Sequence, residues 1–160
     1  MIHPEPAPSD FDDWNGLLGL IKDSFAYMNG RIDPPSSALA LTIASLRERS
    51  KAEYLYLAMP PLVGCAYFAQ QADALYIGKL AVRSTAQGRG LGRAFVQQAE
   101  VLARRLNLSR LRLETRIELV SNHRAFGALG FVRTAERAHP GFCRTTSITM
   151  EKTLSQSGSM

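Results

Sequence analysis

The feature that most constrains this chain is the stretch Lys79 to Leu106, KLAVRSTAQGRGLGRAFVQQAEVLARRL. Leu80-Ala81-Val82 ends an apolar, strand-like run, Arg83 to Ala86 is a polar turn, and Gln87-Gly88-Arg89-Gly90-Leu91-Gly92 leads into a long amphipathic segment. Glycine permits positive φ and close backbone approach, so such a loop can turn several N–H groups toward one point. The first turn of the following helix adds unpaired N–H groups and the positive end of the helix dipole. Strand, loop and helix in this order predict an anion site suited to a phosphate or pyrophosphate.

Spacing decides which anion. The Walker pattern, Gly, four residues, then Gly-Lys-Ser/Thr, is absent. A dinucleotide fingerprint needs glycine at its first, third and sixth positions; Gly88 and Gly90 fit, but the sixth position is Arg93. The pattern that fits is Gln/Arg-x-x-Gly-x-Gly/Ala directly after a strand ending Leu-Ala-Val, with Gln87, Gly90 and Gly92 at its fixed positions. This resembles the acetyl-CoA-binding motif of the GNAT (GCN5-related) N-acetyltransferase superfamily. A second stretch, Ser121-Asn122-His123-Arg124-Ala125-Phe126-Gly127-Ala128-Leu129-Gly130-Phe131, resembles the C-terminal signature of the same family.

The remaining pattern predicts the element order helix, helix, three strands, helix, strand, helix, two strands. Residues 1 to 8, rich in proline, form at most a short edge strand. Ser9 or Asp10 is read as the cap of a first helix whose face is Phe11, Trp14, Leu18, Ile21, Phe25 and Met28, ended by Asn29-Gly30. Ser36 or Ser37 starts a second helix that buries Leu39, Ile43 and Leu46. Strands are expected at 53–59, 63–70, 74–82, 111–115, 131–137 and 144–151, and a short helix at 119–129. The strand at 74–82 is apolar on both faces and hence central. A helix joins it to 111–115, so those two strands run parallel.

The expected fold class is therefore mixed α/β, α+β in character: a mostly antiparallel central sheet flanked by helices, with one parallel crossover. This is the element order of the GNAT fold. One domain is expected over residues 1–152, with 153–160 as a loose tail.

The resemblance implies acetyl-CoA as cofactor and N-acetylation of a primary amine, on a small molecule or a peptide, by direct attack. It places the cofactor against Leu80, Ala81 and Val82, against the loop Gln87, Gly88, Arg89, Gly90, Leu91, Gly92 and Arg93, and against Asn122 and Phe126. A backbone N–H near Val82 is the implied oxyanion donor. At the position where the family commonly carries a tyrosine that protonates the departing thiolate, this chain has Phe126, which has no proton to give.

An amine with a pKa near ~10 must lose a proton before it attacks. The central strand offers no carboxylate, only Tyr76 and Lys79 as polar side chains. In the next strand Leu111 and Leu113 share one face, so Arg112 and Glu114 share the other. Glu114 is thus a candidate base, or half of an ion pair with Arg112 or Arg116; Glu118 is the second carboxylate to consider. His139 is a candidate base or a solvated loop residue. Tyr27 and Asp33 are candidates to receive a cationic amine, or are helix-end and turn residues.

The formal net charge of +5 admits nucleic acid, but no basic helix with interleaved aromatics accompanies it, and no nucleic-acid partner is expected. Three scattered histidines and two distant cysteines, Cys65 and Cys143, show no metal-ligand spacing. Sparse cysteine, no signal-peptide pattern and no apolar run of ~18 residues lead to the expectation of a cytoplasmic protein without disulfides or membrane contact. Homodimers, frequent in the family, are a possible assembly. The competing reading is a non-catalytic acyl-CoA sensor or partner domain.

Overall fold

In the computed structural model, which describes residues 2–155, the strands build one seven-stranded sheet in the order β1-β2-β3-β4-β5-β7-β6. The strands are β1 (Pro4–Pro6), β2 (Tyr54–Ala58), β3 (Gly64–Gln70), β4 (Leu75–Val82), β5 (Arg110–Arg116), β6 (Val132–Arg137) and β7 (Ser147–Thr153). The helices are α1 (Trp14–Phe25), α2 (Ile43–Ala52), α3 (Leu91–Arg105) and α4 (Val120–Ala128). Every neighbouring pair is antiparallel except β4 and β5, which α3 connects in parallel. The expected mixed α/β class, with its single parallel crossover, is the one found.

Two cores cover the two faces. On one, Phe95, Ala99, Leu102 and Ala103 of α3 pack on Ala66 and Phe68 of β3, Leu75 and Ile77 of β4, and Leu111 and Leu113 of β5. On the other, Leu17, Leu20 and Ile21 of α1 and Leu46 of α2 pack on Leu55, Leu57, Cys65, Tyr67 and Ala81. Gly64 marks the closest approach of β3 to α3: a Cβ there would meet the buried Phe95 ring at 2.8 Å. No helix among the described residues is long and apolar enough to cross a membrane.

The helix starts depart from expectation. The α1 cap is Asp13, whose Oδ1 accepts from the Gly16 N–H at 3.0 Å, not Ser9 or Asp10. Phe11 lies ahead of the helix, edge-on to Trp14 at 5.1 Å between ring centroids. The buried stripe is Leu17, Leu20 and Ile21 rather than Trp14, Leu18 and Phe25. Both stripes satisfy three-and-four spacing, and packing on β3 and β4 selects between them. Ser36 caps only a 3₁₀ turn, Ser37–Ala40. The helix proper follows Thr42, whose reciprocal bonds with Ser45 form a capping box. Leu39 is consequently exposed, while Ala38 and Leu41 are buried.

The last strand starts at Ser147, three residues later than expected, and runs to Thr153. The Leu154 N–H donates to the Ser109 carbonyl at 2.9 Å, and its side chain is buried. The expected tail therefore gives up its first two residues to the fold, because one more apolar side chain finds a seat; 156–160 lie outside the described residues. His123, expected at the surface, is half-buried and bonds the Arg116 carbonyl through Nε2 at 2.9 Å.

Cys65 is fully buried and free, and burial pushes its thiol up to about 12. The sign follows from proton counting. The unfolded chain loses this proton near its ordinary value of 9.0, and the native state holds it to about 12. Raising the pH through that window favours unfolding by about 1.4 kcal/mol per pH unit. Tyr76, also pushed up to about 12 by burial and then by Glu114, adds a loss of the same sign from pH 10 upward. The melting temperature is expected to fall between pH 9 and 11, and Cys65→Ala to flatten that fall; parallel curves would remove Cys65 as its origin.

Candidate active site

The site is built by an interruption in β4. Its first residues alternate regularly, with Leu75 and Ile77 buried under α3. The pairing with β3 then shifts: Tyr67 opposes Gly78, but Cys65 opposes Ala81, so β4 carries one extra residue. This bulge includes Lys79 at φ +49° and reverses the strand's phase. Beyond it Leu80 and Val82 pack against the α3 core and Ala81 enters the α1 core.

Ahead of the bulge, after Tyr76, β4 has already lost its parallel partner. It pairs with β5 only at Leu75↔Leu111 and Tyr76↔Arg112. β5 continues along β7 to Arg116↔Ser147, and β4 along β3 to Val82↔Gly64. The sheet thus splays open between two strands that are each held on their far side. Into the splay opens a cleft of ≈ 480 Å³, lined by Gly78, Lys79 and Leu80 of β4, Leu113 to Arg116 of β5, Phe25, Met28 and Ile32 after α1, and Asn122, Phe126 and His139.

A second cavity, ≈ 510 Å³, is lined by Leu20, Asp23, Tyr27, Val82, Arg83, Gln87, Ser121 and Asn122. Asn122 lines both. Of the glycine loop, Gln87 lines this second cavity. Gly88 and Gly90 hold φ +78° and +81°, and Gly90 is the left-handed residue that begins α3. The Gln87 amide folds back to donate to the Val82 carbonyl at 3.2 Å. Gln87, Gly88, Arg89, Gly90 and Arg93 are exposed, whereas Leu91 turns into the core. Around Gly92 there is open space.

Glu114 lines the first cleft on the face opposite Leu111 and Leu113. Its Oε1 accepts from Arg137 Nη1 at 2.6 Å. Neither expected partner is available. Arg112 is held by Glu151 at 2.5 Å and Asp73 at 2.9 Å, and Arg116 donates to the Pro34 and Pro35 carbonyls at 2.6 and 2.9 Å. His139 lines the same cleft. Its backbone N–H donates to Thr146 Oγ1 at 2.9 Å, and its Nδ1 meets the same oxygen. If that hydroxyl donates to the Arg137 carbonyl at 3.4 Å, it accepts from Nδ1–H, and Nε2 keeps its lone pair.

The other candidates lie elsewhere. Tyr27 lines the second cavity, with the Arg31 guanidinium 5.9 Å from its ring centroid. Asp33 lines neither cavity; its carboxylate pairs with Arg144 at 3.2 Å. Its N–H donates to Glu118 Oε2 at 3.2 Å; Glu118 does not line the cleft, and its buried Oε1 has no hydrogen-bond partner among the described residues. Phe126 is half-buried, edge-on to Phe131 at 5.7 Å, and forms part of the cleft wall.

Two groups in the cleft escape a reading of the sequence. The Thr115 hydroxyl is buried, lines the cleft and has no hydrogen-bond partner among the described residues. Arg49 of α2 also lines the cleft. No local signal marks either, because each depends on where the splay falls.

The arrangement is an antiparallel sheet opened at its one parallel joint, with a glycine loop beyond the opening. Solved structures share the fold. The ribosomal-protein-S18-alanine N-acetyltransferase from Escherichia coli superposes with TM-score 0.71 at 16% identity, covering 99% of this chain and 97% of that one. A GCN5-related N-acetyltransferase from Rhodopseudomonas palustris gives 0.73 at 17%, covering 96% of each. A GNAT family acetyltransferase from Elizabethkingia anophelis, with acetyl-CoA bound, gives 0.66 at 18%, covering 96% and 98%. No protein of curated function matches in sequence. The profile of the acetyltransferase (GNAT) family matches residues 17–131, and the chain belongs to this family.

Proposed function

We propose that this acetyltransferase transfers the acetyl group of acetyl-CoA to a primary amine of a small molecule or peptide that enters the cleft between β4 and β5. The observation that carries the reading is the splay, into which the cleft of Glu114 and His139 opens, sharing Asn122 with the cavity that Gln87 lines.

The residues present suit the cofactor. The exposed N–H groups of the glycine loop and the first turn of α3 would hold the pyrophosphate. Asn122 and the unladdered edges of β4 and β5 offer hydrogen-bonding groups to an amide-bearing arm. Bound acetyl-CoA supplies the thioester-activated acetyl group. The chain's own tasks are three. Unpaired backbone N–H groups of β4 near Val82 face developing negative charge on the carbonyl oxygen. Glu114, with His139 beside the same cleft, takes a proton from the acceptor's ammonium, and the neutral amine then attacks the thioester carbonyl. Phe126 and the apolar side chains Phe25, Met28 and Ile32 narrow the water around it. Phe126 cannot protonate the departing thiolate, so that proton comes from solvent or the thiolate leaves as such.

The test is twofold. Acetyl-CoA is expected to stabilise the protein by ~2.7 kcal/mol at one hundred times its dissociation constant. Free thiol is expected to appear only when a suitable amine is added. A melting curve unmoved by saturating acetyl-CoA would overturn the reading.

A further inference from the structure

The cleft that receives the acceptor is unevenly charged. Arg49, Lys79 and Arg116 line it against one carboxylate, Glu114, which is already bound to Arg137. Arg49 is held by Glu53 at 3.2 Å, and Arg116 by two backbone carbonyls, with Glu118 and Asp33 nearby. Lys79 differs from both. Its Nζ donates to Ser37 Oγ at 3.0 Å, and among the described residues no carboxylate lies within ion-pair distance of it. The β4 bulge is what turns this side chain into the cleft, where a regular strand would have placed residue 79 under α3.

Lys79 is more than half withdrawn from solvent, and its surroundings make the charge costly. Burial first, and then the Arg49 guanidinium, lower its pKa from the ordinary value, against a smaller opposing pull from Glu53. An incoming anion relieves that cost. Because Ser37 Oγ accepts from Lys79, its own hydrogen is free to donate outward, and Nζ keeps two further N–H groups. The result is a pair of donors 3.0 Å apart on one wall of the cleft, matched to the two oxygens of a carboxylate. A phosphate monoester can accept from the same two donors, so the acceptor series below sets the two anions against each other.

We infer that the acceptor is an amine that also carries a carboxylate, an amino acid or an acidic peptide, and that Lys79 and Ser37 bind that carboxylate while the amine faces Glu114. The inference rests on the acetyl-transfer reading above. It goes further in naming the acceptor's second functional group and the residues that select it.

The experiment compares kcat/KM for matched acceptors, with acetyl-CoA saturating. Glycine, β-alanine, 4-aminobutyrate and aspartate are each run against the corresponding carboxamide, and phosphoethanolamine against ethanolamine. Hydrogen bonds to a charged group are expected to favour at least one carboxylate over its amide by about 10- to 100-fold. Lys79→Met is expected to bring that ratio close to one. Comparing ratios between wild type and variant cancels the amines' own differences in basicity. Ser37→Ala, a change on an exposed turn, is expected to lower the ratio about 3- to 10-fold and guards against a Lys79 variant that fails to fold. A wild-type ratio near one, a ratio unmoved by both variants, or a preference for phosphoethanolamine above every carboxylate each overturns the assignment. If no amine of either kind releases thiol although acetyl-CoA binds, the acetyl-transfer reading fails and this inference falls with it; turnover without carboxylate preference removes the inference alone.

Discussion

Gly92→Glu is expected to abolish stabilisation by acetyl-CoA, while Gly92→Ala leaves it intact. Gly92 sits in the first turn of α3, in helical conformation, with nothing within 4 Å of where a Cβ would stand. Either side chain therefore fits the fold. A glutamate there even favours it, by ~0.3–1 kcal/mol, because the first turn of α3 holds no acidic residue to meet the helix dipole. The cost falls on the cofactor alone. A carboxylate about 4 Å from a phosphate, at an effective dielectric near 20, is opposed by roughly 4 kcal/mol, on the order of 10³-fold in affinity. A ligand at one hundred times the wild-type dissociation constant then gives almost no shift.

Gly90 is the less informative position. It holds φ +81°, so any side chain there strains the loop and confounds folding with binding. The measurement is the melting temperature of wild type, Gly92→Ala and Gly92→Glu, each with and without acetyl-CoA. A Gly92→Glu protein that still shifts as the wild type does would place the pyrophosphate elsewhere.

Glu114→Gln is expected to lower kcat by roughly 10²–10⁴-fold with little change in KM for acetyl-CoA. The substitution keeps the shape and leaves an oxygen to accept from Arg137, now 2.6 Å from Oε1. What it removes is the basicity. The folding cost should be small, because Arg137 is largely exposed and such ion pairs contribute about 0–1 kcal/mol. The parallel variant His139→Gln separates the two bases of the cleft. A large kcat loss in His139→Gln with little in Glu114→Gln would transfer the proton to His139. Turnover of Glu114→Gln equal to wild type from pH 6 to 9 would leave Glu114 as the anchor of Arg137 only.

The glycine loop was legible because its demands are local. Positive φ at Gly88 and Gly90, a free helix start at Leu91 and a strand ending at Val82 all follow from a dozen consecutive residues. The orientation of Glu114 was legible for a similar reason: strand alternation puts it opposite Leu111 and Leu113 whatever the neighbours do. Its partner was not. Arg112, Arg116 and Arg137 are all arginines within reach along the chain or the sheet, and register decides among them. β7 brings Glu151 to Arg112, the turn after α1 brings the Pro34 and Pro35 carbonyls to Arg116, and Arg137 is left for Glu114.

Sequence by itself determined the fold class, the single parallel crossover and the glycine turn that starts α3, since periodicity, turn residues and glycine spacing act over short distances. Tertiary structure alone decided the β4 bulge, the splay between β4 and β5, and which side chains meet there. A strand's phase depends on how many residues its partner places opposite it. One residue more in β4 than in β3 moves Lys79 from an ordinary strand position to the wall of the cleft. That count is a property of two strands paired in space, and neither strand carries it in its own sequence.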